Sequence, residues 1–169
     1  VFGFVAVYSK IMQITDLFIK IIADYAVIFV VAIGAWAMLK VPKAKMYQSL
    51  ARGFMVGLTA LFIAKIASLL YQGERPFVQL GVDAKAAYLD NPGFPSDHVL
   101  LVFVITFIVW ASTKNVKISV FLFVVSCLVA IGRILALVHT PIDVVGGIAC
   151  AVIAALLWYS RSLFAKKTN

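Results

Sequence analysis

Five apolar runs, each near the length that crosses a bilayer, alternate with short polar clusters along the chain. Crossing about 30 Å of hydrocarbon takes about 20 helical residues, and a helix is the simplest way to satisfy the backbone there. The runs predict spans at about 17–39, 53–71, 96–111, 118–137 and 141–159. Residues 1–16 mix apolar positions with Tyr8, Ser9, Lys10, Gln13 and Asp16, which predicts a short helix lying in the membrane interface. Inside the first run Lys20 and Asp24 stand four apart on one helix face and are expected to pair with each other. Residues 72–95 form the longest hydrophilic stretch, broken by Gly73, Pro76, Gly81, Pro92 and Gly93, with a short helix expected at Ala84–Tyr88.

Composition turns this pattern into a fold class. Of 169 residues 64% are hydrophobic and 13% charged, and the mean hydropathy is +1.06, far from the balance of a soluble domain. The expectation is an all-α integral membrane protein, a single domain over residues 1–169 with five to six spanning helices. The net charge of +8 does not point to nucleic acid, because the basic residues sit in short connections where membrane orientation and anionic lipid account for them. Nine Lys and Arg lie beyond the ends of the first, third and fifth spans (Lys40, Lys43, Lys45, Arg52, Lys114, Lys117, Arg161, Lys166, Lys167). That side is expected to be cytoplasmic. Cys127 and Cys150 fall in apolar runs without ligand spacing and read as small buried hydrophobes rather than a disulfide or metal site.

Against this background three polar clusters stand out: Glu74-Arg75-Pro76, Gly93-Phe94-Pro95-Ser96-Asp97-His98, and the stretch from Gly132 through Arg133 and His139 to Asp143. An arginine at membrane depth costs about 2.5–3.5 kcal/mol on insertion scales, so Arg133 needs a partner and a reason. Arg75 and Arg133 have the planar donor fork that grips phosphate oxygens. Ser96 stands where a helix N-terminus would add backbone N–H donors. His139 has a ring nitrogen suited to attack phosphorus, with Asp143 a turn away to orient it, and His98 can protonate a leaving oxygen.

Each residue also has a plainer reading. Thr140-Pro141-Ile142-Asp143 is a helix start in which Asp143 would only cap, and taken alone that reading is favoured. Ser96 and Asp97 look like N-cap residues, Arg75 could be a solvated loop charge, and Lys65 could snorkel to the surface. What favours a site is that all these groups fall on the outer ends of different spans, which independent capping does not require.

In order and spacing, Arg75-Pro76, then Pro95-Ser96-Asp97-His98, then Arg133, His139 and Asp143 resemble the tripartite signature of the type 2 phosphatidic acid phosphatase superfamily. The form with Asp97 before the histidine is similar to bacterial undecaprenyl-diphosphate phosphatases of the bacitracin-resistance type. The resemblance implies a metal-independent lipid-phosphate phosphatase without a cofactor. His139 would form a phosphohistidine, Asp143 would orient it, and His98 would be the general acid. Arg75, Ser96 and Arg133 would bind phosphate.

Three departures qualify the match. Ser68 stands where the family usually has lysine, with Lys65 three residues earlier on the same face and about 4.5 Å deeper, able to reach up in its place. Asp97 replaces a small residue beside an anion site, where it would face water, cap the helix or recruit a cation. Gly132 stands before Arg133 where serine is common. The expected partner is a lipid phosphate, foremost a polyprenyl diphosphate, at an outward-facing site in a bacterial cytoplasmic membrane. Phosphatidylglycerophosphate or phosphatidate would satisfy the same residues. From another class, a non-hydrolytic lipid transporter would place such charges nearer the midplane and show internal repeats, neither of which is evident.

Overall fold

Away from water a chain can satisfy its backbone by coiling on itself, and the computed structural model is all-helical over the residues it describes, 2–89 and 92–164. Helix α1 (Phe2–Lys20) passes through a π-helical turn (Ile21–Tyr25) into α2 (Ala26–Leu39), followed by α3 (Lys43–Leu70) and a short α4 (Pro76–Leu80). Then come α5 (Asp97–Thr113), α6 (Val116–Leu135) and α7 (Pro141–Phe164). Lys10–Leu39, Lys43–Leu70, Val116–Leu135 and Pro141–Ser160 are long and apolar enough to cross a membrane, and Asp97–Thr113 is a shorter apolar helix.

The boundaries differ from expectation in three places. No break separates residues 1–16 from the first span: α1 runs unbroken through Asp16 to Lys20, and the π turn then carries the helix on into α2. The second span starts at Lys43 rather than near residue 53, since Lys and Arg are good helix formers and extend the coil past the apolar run. Ala84–Tyr88 is not helical. Its polar backbone groups are used elsewhere: Lys85 N–H donates to Ala136 O, Ala87 N–H to Asp24, and Ala87 O accepts from Arg133. The short helix of this stretch is α4 instead, begun by Pro76 at its first turn.

Helix α5 is the middle of the bundle, packed against α2, α3, α6 and α7. Val99, Leu100, Val102, Phe103, Val104, Thr106, Val109 and Ala111 are all buried along it, so it needs no polar face. Its neighbours approach through small residues, among them Ala60 and Ala64 of α3 and Ala151, Ala154 and Ala155 of α7. In a bilayer, where tails are as apolar as leucine, close backbone approach supplies the contact energy that hydrophobicity does not. Hydrogen bonds add to it: Thr106 and Ser126 hydroxyls meet at 3.0 Å between α5 and α6, and Trp158 Nε1 donates to Thr59 Oγ1 at 3.0 Å between α7 and α3. Both cysteines are free, Cys150 buried as expected and Cys127 only partly so. This packing brings the ends of α3 and α6 and the starts of α5 and α7 to one end of the bundle.

Candidate active site

Arg133 comes first because it is nearly inaccessible, 1% exposed in the last turn of α6. Its partner is Asp24. Nη1 donates to Asp24 Oδ1 at 2.8 Å and Nη2 to Ala87 O at 2.8 Å, while Asp24 Oδ2 accepts from Ala87 N–H at 3.0 Å. One carboxylate thus ties a guanidinium and a loop backbone together. The expected Lys20–Asp24 pair is not made: the π turn carries Asp24 toward α6 instead. Gly132 explains how the two come so close. A Cβ there would lie 2.8 Å from Ile22 Cγ2 and 3.1 Å from Ala23 N, so a serine at this position would push the π turn, and Asp24 with it, away from Arg133. The departure from the family pattern is a packing requirement.

Arg75, also buried, holds the next corner. Nη1 donates to Val138 O at 2.7 Å and Nη2 to Leu89 O at 3.2 Å, with the guanidinium 5.6 Å from the Tyr88 ring centre. Phe77 N–H bonds Leu137 O at 3.0 Å. Arg75 therefore fixes the backbone next to His139 as well as facing the site, which the reading of it as a solvated loop charge does not allow.

His139 lies 4% exposed between α6 and α7. Its Nδ1 is 3.6 Å from Asp143 Oδ2, an approach longer than a hydrogen bond, and is buried without a hydrogen-bond partner among the described residues. Asp143 also caps: Oδ2 accepts from Thr140 N–H at 2.7 Å, and Asp143 N–H donates to Thr140 Oγ1 at 3.2 Å. The capping reading is met, and the oxygen that caps is the one that faces His139. Burial pushes the His139 pKa down, with Arg133 and Arg75 acting in the same sense and the Asp143 carboxylate opposing. The imidazole is thereby held neutral, with a lone pair available.

Ser96 is the N-cap of α5 by position but makes no side-chain cap; its N–H bonds Asp143 O at 3.0 Å, and its Oγ is buried without a partner among the described residues. Gly147 lets α7 press on this turn, since a Cβ there would lie 2.8 Å from Ser96 O.

Arg75, His98, Arg133 and His139 line one cavity of about 30 Å³, together with Gly93 and Asp97. That is room for a water or two rather than for a phosphoryl group. Beside it, between α3 and the start of α5, a cavity of about 410 Å³ is lined by Leu61, Ala64, Lys65, Ser68, Phe94 and Asp97. Pro92, Pro95 and Asp97 border both. Lys65 is thus placed next door to the histidines, with Asp97, exposed at the first turn of α5, between the two spaces. Arg133 keeps a donor for an anion: Nε is buried without a partner among the described residues. The residue missing from the sequence-derived set is Asp24, and its signal was present, as a carboxylate inside an apolar run.

Comparison with known proteins supplies the family. Residues 48–166 match the PAP2 superfamily. Undecaprenyl-diphosphatase BcrC of Bacillus subtilis (strain 168) is 30% identical over 108 residues, covering 64% of this chain and 55% of the relative. The bacitracin transport permease protein BcrC of Bacillus licheniformis is 34% identical over 98 residues, covering 57% of this chain and 47% of the relative. The chain thus spans about half the length of the curated relatives it matches. No solved structure matches it. The family match takes in α5 to α7 and every polar cluster around the cavity, and on that evidence the chain belongs to the PAP2 superfamily.

Proposed function

We propose that this chain is a membrane lipid-phosphate phosphatase that hydrolyses a polyprenyl diphosphate, undecaprenyl diphosphate foremost, to the monophosphate at the outer membrane face. The observation that carries the reading is the meeting of His139, His98, Arg75 and Arg133 around one cavity, with Asp143 behind His139. His139 attacks the terminal phosphorus while the bond to the bridging oxygen breaks, and His98 gives that oxygen its proton. Water then attacks the phosphohistidine and releases inorganic phosphate, His98 accepting the proton. Arg75, Arg133 and the Ser96 turn stabilise the equatorial oxygens.

A diphosphate fits the two adjoining spaces better than a monophosphate does. The terminal phosphoryl enters between the histidines, which requires the narrow cavity to widen, and the departing phosphate lies against Lys65 and Ser68 with the lipid tail along Leu61 and Ala64. The excess of Lys and Arg at the other end supports the outward orientation. A transporter reading is disfavoured by the gathering of charge at one end rather than at the midplane.

The test is phosphate release by purified protein in detergent with EDTA, comparing undecaprenyl diphosphate, phosphatidylglycerophosphate and phosphatidate. Release from the diphosphate alone, lost in a folded His139→Ala variant, is the expected result. Equal release from all three would replace the substrate by lipid phosphates at large. Normal release by His139→Ala would overturn the mechanism.

A further inference from the structure

The end of the bundle opposite the histidines holds a separate polar cavity of about 210 Å³, at the start of α3 and the ends of α5 and α7. Lys45, Ser49 and Arg52 line it from α3, Ser112 and Lys114 from the end of α5, and Tyr159 from α7, with no carboxylate among the lining residues. Basic residues at span ends are ordinary, and so is an interfacial tyrosine with its ring in lipid and its hydroxyl in water. Tyr159 is not of that kind. It is 2% exposed, and its Oη has no hydrogen-bond partner among the described residues. Ser112 Oγ lies near enough to interact with it, yet it too is buried and neither oxygen reaches hydrogen-bond geometry with any described residue. Buried hydroxyls left unpaired are costly and uncommon, whereas beside several cations they are what an anion site needs.

We propose that this cavity binds a phosphate group, with Arg52 and Lys45 supplying charge and Tyr159 and Ser112 donating hydrogen bonds. Donors converge on it from three helices, which suits a tetrahedral anion with oxygens on every side better than a planar carboxylate. Its place at the helix ends, where headgroups lie, makes an anionic membrane lipid one source of that phosphate and free phosphate the other.

The experiment titrates delipidated full chain in neutral detergent with inorganic phosphate and, separately, short-chain phosphatidylglycerol, with short-chain phosphatidylcholine as blank, reading the unfolding midpoint. Wild type is compared with Arg52→Gln and Tyr159→Phe, which share an unaltered histidine end. Arg52→Gln is expected to weaken the response about tenfold. Tyr159→Phe is expected to raise the midpoint without probe, because an unpaired hydroxyl is removed, yet to weaken the response to probe; a tyrosine of merely structural role would not divide in this way. A shift with both probes assigns free phosphate as sufficient, and a shift with the lipid alone assigns the headgroup. Titration of both variants like wild type with either probe overturns the proposal. Lys45→Gln, at an exposed position, supplies the same reading if Arg52→Gln does not fold.

Discussion

Both ends of the bundle carry basic residues, and the polar groups around them are bonded differently. At the histidine end the arginines are buried and bound to groups remote in sequence, Arg133 to Asp24 at a separation of 109 residues and Arg75 to Val138 at 63. At the other end local bonds recur among the described residues: Asn115 Oδ1 accepts from Ile118 N–H, Ser119 Oγ donates to Asn115 O, and Thr113 Oγ1 donates to Val109 O. Local bonds start and stop helices. Remote bonds fix side chains from different spans against each other, which catalysis by several groups requires and topology alone does not.

The sharpest way to break this contrast is at Asp143, where a local and a remote role share one oxygen. Asparagine keeps an acceptor for Thr140 N–H but loses the negative charge facing His139. Asp143→Asn should therefore melt close to wild type while turnover falls by about four orders of magnitude, by analogy with other His–carboxylate pairs. Retention of more than about a tenth of the rate would reduce Asp143 to a cap.

The same pair predicts a pH effect. If His139 is the nucleophile it must be neutral to attack, so activity should be lost as pH falls through its lowered pKa. The acid limb of kcat/KM should lie below the ordinary histidine value of about 6.5. Since the Asp143 carboxylate raises that pKa, the residual activity of Asp143→Asn should have its limb lower still; a limb shifted upward would contradict the assignment.

Next in size is Asp24. Its removal leaves a guanidinium buried without its carboxylate and frees the Ala87 loop, and breaking a buried pair in this way costs about 3 kcal/mol or more. Asp24→Asn should lower stability and also kcat, whereas Lys20→Met, which removes the other half of the expected helical pair, should do neither. Equal effects of the two substitutions would show that Asp24 only balances charge along its own helix.

These residues also show what could be read from the sequence. The spans were legible because bilayer thickness imposes a length, and the end on which the polar groups gather followed from counting spans. That Arg75, His98, Arg133, His139 and Asp143 gather at one end was legible because few side chains tolerate such surroundings unpaired. The partner of Arg133 was not: helical spacing puts Asp24 beside Lys20, and only the π turn sends it to α6. Nor was the failure of Ala84–Tyr88 to coil, since its local propensity is overridden by bonds to Ala136, Asp24 and Arg133. Remote hydrogen bonds leave no periodicity to read.

Lys65 tests how far the remote network extends. It lines the wider cavity and not the space between the histidines. If it holds the departing phosphate, Lys65→Met should weaken diphosphate use about tenfold, as expected for one charged hydrogen bond, and should spare a monophosphate substrate. Unchanged kinetics on both would leave it a snorkelling side chain.

The smallest effect is expected at the opposite end, and it completes the contrast. Asn115 accepts from Ile118 N–H at 3.2 Å to begin α6, the helix that carries Arg133 at its far end. Loss of an N-cap costs about 1 kcal/mol. If local bonds only start helices, Asn115→Ala should lower the unfolding midpoint slightly and leave kcat and KM as they are, because Arg133 takes its position from Asp24 and Ala87 rather than from the beginning of α6. A fall in kcat with a small loss of stability would mean that α6 transmits its start to its end as a rigid rod. The division between the two ends would then be one of bonding only, not of function.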